Sequence, residues 1–136
     1  MKKQTKEELI AYRIKRAKGS IQSVKLLIDK DIDGNLSANR LYYAAFYSVI
    51  ALLAQKGIEY KSHKGVKTAL SNFYIKTGLI NGLFGRMFTE LFEMRQEGDY
   101  EDLSDVPIEV IRPYIEQVEQ FIEVVERILT ENTEGI

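Results

Sequence analysis

The central feature of the chain is an almost entirely apolar segment at residues 39–54. After Arg40 its only clearly polar residue is Ser48, and it contains neither Gly nor Pro. A surface helix keeps one charged face, whereas a helix that is apolar all round is buried on most sides. The segment is also shorter than the roughly 20 residues that a membrane-spanning helix needs. It therefore predicts the central helix of a small all-helical domain, ending at Gly57.

The first helix is predicted over about residues 5–30. Six apolar side chains step along it by three and four: Ile10, Ile14, Ala17, Ile21, Val24 and Ile28. Thr5 stands before two acidic residues and is the expected N-cap. The Asp-Ile-Asp-Gly-Asn run at 31–35 ends this helix, and Ser37 is the expected cap of the central helix.

Three further helices are predicted after the central one. A short third helix covers about 64–76 and turns four apolar side chains inward: Val66, Ala69, Leu70 and Phe73. A fourth helix covers about 83–97. The fifth begins near Pro107, Pro113 is expected to kink it or delay its start, and its tail is expected to fray from Thr130.

These patterns predict an all-α fold, an antiparallel four-helix up-and-down bundle with the third helix as a short extra. The chain, residues 1–136, is expected to form one domain with a core over about 5–129. The aromatic faces of the second and fourth helices exceed what one bundle core needs. We therefore expect a homodimer through that apolar surplus.

Composition excludes several kinds of site. The chain has no cysteine and one histidine, so we expect no disulfide, no thiolate chemistry, no metal site and no cofactor. The N-terminus has basic residues without a following apolar run, which is not the pattern of a signal peptide. A cytoplasmic protein without membrane contact is expected.

The charge is unevenly spread along the chain. A net charge of −1 argues against a strong generic nucleic-acid binder. Residues 1–28 nevertheless carry eight Lys or Arg against two Glu, whereas the chain from Glu90 onward holds fourteen acidic residues and three Arg. Either two solvated faces of opposite charge lie near each other, or the first helix presents a basic face to RNA or to an acidic partner.

Arg95 is the first candidate for chemistry. It continues the inward stripe of the fourth helix, so its guanidinium is expected on or beside the inward face. Asp99 lies four residues further on, where it could pair with Arg95, and Tyr100 follows. This pattern is typical of a structural ion pair or of a phosphate site, because the forked guanidinium suits phosphate oxygens.

Two other places offer polar groups near helix starts. His63 begins the third helix, where the helix dipole disfavours imidazolium; a structural hydrogen bond and an approach to Arg95 are both open to it. Asn39 and Tyr43 lie at the start of the central helix, where backbone N–H groups favour anions. The alternative for the tyrosines is simple packing in the core, with their hydroxyls hydrogen-bonded.

Taken together, five motifs in order resemble the HEPN family. They are Asn39-Arg40-Leu41-Tyr42-Tyr43-Ala44-Ala45-Phe46, Gly57-Ile58, Ser62-His63-Lys64-Gly65, Lys76-Thr77-Gly78-Leu79 and Arg95-Gln96-Glu97-Gly98-Asp99-Tyr100. The chain is similar, over nearly its whole length, to small bacterial and archaeal HEPN proteins related to the C-terminal domain of sacsin. The resemblance implies a four- to five-helix bundle, usually a homodimer, often paired with a minimal nucleotidyltransferase in a toxin–antitoxin or stress module.

The resemblance also implies a type of site. Many members are metal-independent endoribonucleases with an Arg, four to six intervening residues and then a His, both copies meeting at the dimer interface. Arg95 matches the Arg, but Tyr100, Glu101 and Asp102 stand where the His is expected. The group that titrates near neutral pH is thus missing.

The predicted function is therefore binding of a nucleotide or RNA. The residues expected to bind it are Arg95, Asp99, Tyr100, Asn39, Tyr43 and Lys64. One alternative is an endoribonuclease with a degenerate motif, in which Arg95 and His63 are catalytic. The other is a non-catalytic dimeric module that binds another protein.

Overall fold

The computed structural model describes the backbone at residues 5–100 and 105–134, and side chains at 5–98 and 105–131. These residues form five α-helices and one π-helical segment, and no strand occurs among them. The helices are α1 (Lys6–Asp29), α2 (Gly34–Gln55), α3 (His63–Leu70), α4 (Gly82–Tyr100) and α5 (Ile108–Glu134), with the π segment (Ser71–Ile75) after α3. The predicted all-α fold is confirmed.

The α2 helix is the hub of the fold, as its apolar sequence predicts. It contacts each of the other four α-helices. Twelve of its 22 residues are buried, several of them alanines that let the neighbouring backbones approach closely. The apolar stripe of α1 packs here, with Ala17, Ile21, Val24 and Ile28 buried. The up-and-down order of the bundle stays a prediction.

The cap of α1 is where the sequence places it, and the cap of α2 is not. The Thr5 hydroxyl accepts a hydrogen bond from the Glu8 amide at 3.1 Å. Ser37, the predicted cap of α2, is instead buried inside that helix, and Asp33 caps it by accepting from the Leu36 amide at 3.0 Å. Asp33 is in the left-handed conformation (φ 47°), which Asp tolerates better than most residues.

A contact with a distant segment explains this earlier start of α2. Gly34 lies against the backbone of Val106, so closely that a Cβ on Gly34 would be 1.8 Å from the Val106 carbonyl oxygen. The side chain of Asn35 accepts from the Val106 amide at 2.8 Å. The chain before α5 therefore holds the first turn of α2 in place.

The third predicted helix is divided into α3 and the π segment. A π-helical turn holds one more residue than an α-helical turn and so rotates the following side chains. Phe73, predicted to face inward, is 39% exposed, whereas Tyr74 is fully buried and donates from its hydroxyl to the Leu52 carbonyl at 3.2 Å. Gly57 and Gly78 have positive φ angles, as expected after helix ends.

The last helix is more continuous than predicted. It begins at Ile108 and contains Pro113, so the proline does not delay its start. It also extends to Glu134, beyond the predicted fraying point at Thr130. Apolar side chains of this helix reach the common core along most of its length: Ile111, Val118, Phe121, Ile122, Val125, Ile128 and Leu129.

Candidate functional site

Tyr42 is the centre of a cluster built from α2, α3 and α4. Its ring is 2% exposed and stacks on Phe88, with ring centres 5.6 Å apart. Its hydroxyl oxygen is 2.9 Å from Nδ1 of His63. On another side, Cζ of Arg95 lies 5.4 Å from the centre of the Tyr42 ring. One buried tyrosine thus joins the two residues that the sequence offers for chemistry.

Arg95 lies against two neighbouring tyrosine rings of α2. Its Cζ is 5.2 Å from the centre of the Tyr43 ring, and Nη2 donates a long hydrogen bond of 3.5 Å to the Tyr43 hydroxyl. A guanidinium at this distance from an aromatic face gains a cation–π attraction. The side chain is half-buried, so the charge is held at the edge of the core.

His63 is held by stacking as well as by its hydrogen bond. Its ring stacks on Phe92 with ring centres 3.7 Å apart and lies 5.0 Å from Phe88. The pKa of His63 is lowered from its usual 6.5 to about 4, mainly by burial and in smaller part by the positive charges of Lys67 and Arg95. The imidazole is therefore neutral at neutral pH.

The hydrogen bond between Tyr42 and His63 carries no net charge at neutral pH. Burial raises the pKa of Tyr42 well above its usual value, although the nearby Arg95 partly opposes this. Depending on the tautomer, either the phenol donates to Nδ1 or Nδ1–H donates to the phenol oxygen. Both arrangements fix the orientation of the ring.

We call the set Arg95, Tyr42, Tyr43, His63, Phe88 and Phe92 the Arg95 cluster. Three residues singled out from the sequence meet in it: Arg95, Tyr43 and His63. Lys64 follows His63 but is exposed on the outside of α3, and Asn39 is half-buried one turn before Tyr43. The α4 backbone continues to Tyr100, but the side chains of Asp99 and Tyr100 lie outside the described residues.

Tyr42, Phe88 and Phe92 are the members of the cluster that were not predicted from the sequence as site residues. Tyr42 is adjacent to Tyr43 and differs from it only by a rotation of about 100° around the helix axis. The sequence feature that points to Tyr42 is its position directly after Leu41, on the inward side of an apolar helix. An inward tyrosine needs a partner for its hydroxyl, and here His63 is that partner.

The chemistry available in the cluster is recognition rather than proton transfer at neutral pH. A permanently charged guanidinium suits phosphate oxygens, and the aromatic rings around it suit a base. Within residues 5–98 and 105–131, no group of three or more His, Asp, Glu or Cys could hold a metal ion. Among the described helices, none has the length and apolarity to cross a bilayer.

Comparison with known proteins gives relatives over nearly the whole chain. A UPF0332 protein of Thermotoga maritima is 36% identical over 124 residues, covering 91% of this chain and 93% of the relative. A Methanocaldococcus jannaschii protein named "Putative toxin MJ0605" is 30% identical over 132 residues, 96% of each chain. Another from that organism, "Putative toxin MJ0142", is 29% identical over 68% of this chain and 63% of its own.

A family model agrees with these relatives. The model of the HEPN domain matches residues 10–135, which includes all five α-helices except the first turn of α1. The matched region contains every member of the Arg95 cluster. This chain belongs to the HEPN family.

Proposed function

We propose that this chain is the HEPN component of a toxin–antitoxin or stress module and that it binds nucleotide or RNA at the Arg95 cluster. The observation that supports this most is the position of Arg95 against the rings of both Tyr42 and Tyr43. This arrangement offers a fixed positive charge to a phosphate, beside aromatic rings for a base. The names of the two Methanocaldococcus relatives support the link to toxins.

The state of His63 favours binding over cleavage. A general acid or base is most effective when its pKa lies near the working pH. With a pKa of about 4, His63 cannot donate a proton at pH 7 and is a weak base. Its Nδ1 is also engaged by the hydroxyl of Tyr42.

A metal-independent endoribonuclease is the second candidate, and one observation favours it. Arg95 and His63 both contact Tyr42, so the chain assembles an Arg and a His at one place despite lacking the His after Arg95. A phosphate bound to Arg95 would stabilise imidazolium and raise the pKa of His63 toward neutrality. In this candidate His63 supplies the proton transfer and Arg95 stabilises the charge of the transition state.

We also propose that the protein is a cytoplasmic homodimer. A half-buried aromatic face runs along α2 and continues onto α4: Tyr43, Phe46, Tyr47 and Phe92. Pairing of two such faces would bury the apolar surface and bring two Arg95 clusters near each other. Sedimentation at micromolar concentration tests the pairing: a dimer supports it and a monomer contradicts it.

A minimal nucleotidyltransferase is the partner that we propose for the module. This partnership is supported by family membership and by the toxin names of the relatives. It is tested in two ways, on the genome and on the purified proteins. A nucleotidyltransferase gene beside the gene for this chain, whose product co-purifies with it, supports the partnership. A purified pair that does not associate contradicts it.

The binding function is tested by substitution of Arg95. We expect the wild-type protein to bind a fluorescent single-stranded RNA oligonucleotide and Arg95→Ala to weaken that binding at least tenfold. Arg112→Ala is the matched control, because Arg112 is an exposed arginine on α5. Equal affinity of the wild type and Arg95→Ala would overturn the proposal. RNA cleavage that disappears in both Arg95→Ala and His63→Ala would establish the second candidate.

A further inference from the structure

The charge of the middle of the chain differs sharply from that of the whole. Residues 60–89 contain five Lys or Arg and no Asp or Glu, although the whole chain has a net charge of −1. This run includes α3, the π segment and the first part of α4. A segment of one charge in a nearly neutral protein produces a local field that attracts ions of the opposite sign.

The fold places three of these cations along one groove. The groove, of about 390 Å³, follows the outer face of α3 and the π segment and is lined by Lys64, Lys67, Thr68, Ser71, Asn72 and Lys76. We call it the α3 groove. The Lys76 ammonium donates to the Asn72 side chain at 3.1 Å. Among the described side chains, no ion pair joins these lysines to a carboxylate, so their charge is not neutralised there.

The α3 groove begins next to the Arg95 cluster. His63 is the first residue of α3, and Lys67 is close enough to its ring to lower its pKa. A polyanion lying along the groove therefore ends beside His63, which is also near enough to Arg95 for that charge to lower its pKa. From Lys64 to Lys76 the helical rise amounts to about 18 Å, enough for several phosphates in sequence.

Two exposed aromatic side chains lie near the groove in the chain, outside its lining residues. Tyr60 is 46% exposed, and its ring lies over Gly65, where an added Cβ would be 2.9 Å from the ring. Phe73 follows Asn72 and is 39% exposed, with the Lys56 ammonium over its ring. Single-strand binding typically uses cations that follow the phosphates together with nearby exposed rings that stack with bases. An acidic protein partner would use the lysines but has no need for the rings.

We infer that the α3 groove binds the phosphate backbone of single-stranded RNA and leads the strand to the Arg95 cluster. This inference rests on the proposed function, since it supplies the second contact region of the same ligand. In the groove, Lys64, Lys67 and Lys76 contact phosphates in a way that does not depend on the direction of the strand. The cluster contacts one nucleotide. Mononucleotides, which reach only the cluster, depend on Arg95 and not on the three lysines.

The test compares salt dependence in two triple variants. One is Lys64→Gln, Lys67→Gln, Lys76→Gln. The matched control is Lys15→Gln, Arg16→Gln, Arg40→Gln, which removes the same charge from a groove between α1 and α2. Binding of a fluorescent, unstructured RNA oligonucleotide is measured between 50 and 200 mM KCl, after thermal melting has shown that both variants fold.

For the α3 variant we expect the slope of log K against log salt to become less steep by about 2, since each phosphate contact with single strands contributes about 0.7. The control is expected to keep the wild-type slope. An α3 variant with the wild-type slope overturns the inference, whatever the control does. So does an α3 variant that loses poly-glutamate binding while RNA binding is unchanged, which would indicate an acidic protein partner.

Failure of the inference can be distinguished from failure of the proposed function. If Arg95→Ala weakens RNA binding and the α3 variant does not, the proposed function stands and the groove is excluded as the path of the strand. If the α3 variant lowers the slope while Arg95→Ala binds both RNA and a nucleoside monophosphate like the wild type, the RNA surface is supported and the Arg95 site is excluded.

Discussion

The hydroxyl of Tyr42 on the central helix meets Nδ1 of His63 at the start of α3, at 2.9 Å. This bond connects the central helix, more than half of whose residues are buried, with a helix of only eight residues. It also orients the imidazole, which stacks on Phe92. The Tyr42–His63 pair is thus one of the contacts that place the α3 groove beside the Arg95 cluster, together with the buried side chains Val66, Ala69 and Leu70.

Removal of the Tyr42 hydroxyl tests this connection. For Tyr42→Phe we expect a loss of about 0.5–1.5 kcal/mol in the free energy of unfolding, the usual worth of one hydrogen bond. The pKa of His63 is expected to rise if the phenol stabilises the neutral ring by donating to it. NMR titration gives this pKa without ambiguity, because His63 is the only histidine.

The control for this substitution is Tyr12→Phe, since Tyr12 is 50% exposed on α1. It should leave both the free energy of unfolding and the His63 titration unchanged. If Tyr42→Phe matches this control in both measurements, the hydrogen bond does not hold α3.

The depressed pKa of His63 predicts a pH dependence of folding. The unfolded chain takes up a proton at His63 near pH 6.5, whereas the folded chain does so only near pH 4. Between these values the unfolded state binds more protons, so stability is full above pH 6.5 and falls as the pH drops. Urea unfolding of the wild type should therefore show a decrease in stability from pH 7 to pH 5.

His63→Asn isolates this contribution, because Asn keeps a polar side chain near Tyr42 but does not titrate. Its stability should change less between pH 7 and pH 5 than that of the wild type. Carboxylates titrate mostly below this window and are common to both proteins. Parallel pH curves for the two proteins would mean that the pKa of His63 is not lowered by folding.

Much of the fold was readable from the spacing of apolar residues. The α1 stripe from Ala17 to Ile28 and the buried α2 helix are confirmed because helical periodicity and burial depend on local sequence. The burial of Tyr74 in place of Phe73 could not be predicted from the sequence, since a π-helical turn shifts the helical period within one helix. The cap at Asp33 was missed because it depends on contact with Val106, 73 positions along the chain.

The candidate site was readable in part. Arg95 was found because it continues an apolar stripe, which is a local pattern. The contact of His63 with Tyr42 joins residues on two helices with a turn between them, and the position of neither residue in the sequence predicts a contact with the other. Asp99 and Tyr100 keep their predicted roles as hypotheses, since their side chains are outside the described residues.

Two glycines should respond oppositely to the same substitution. Gly19→Ala places a methyl group where no atom lies within 4 Å, in the middle of α1. It should raise the free energy of unfolding by about 0.5–1 kcal/mol, because alanine favours a helix interior over glycine. Gly34→Ala places a methyl group on the Val106 backbone and should cost about 1–3 kcal/mol or more.

Urea unfolding of both glycine variants gives the comparison directly. Gly34→Ser serves as a second variant, since it has the same Cβ and should be as destabilised as Gly34→Ala. Stability equal to the wild type in either Gly34 variant would show that the segment before α5 does not pack closely against the first turn of α2.

Arg95→Lys separates positive charge from the shape of the guanidinium. Lysine keeps the charge but lacks the planar fork that stacks on rings and pairs with two phosphate oxygens. Because Arg95 lies against the rings of Tyr42 and Tyr43, we expect Arg95→Lys to weaken RNA binding about tenfold while the slope of log K against log salt stays near that of the wild type. Arg95→Ala should weaken binding further and also lower that slope.

Fluorescence titration across salt concentrations measures both effects, with Arg112→Lys as the exposed control. If Arg95→Lys binds RNA as the wild type does, Arg95 acts only as a point charge, and its contact with the two rings serves the packing of α4 on α2 rather than the ligand.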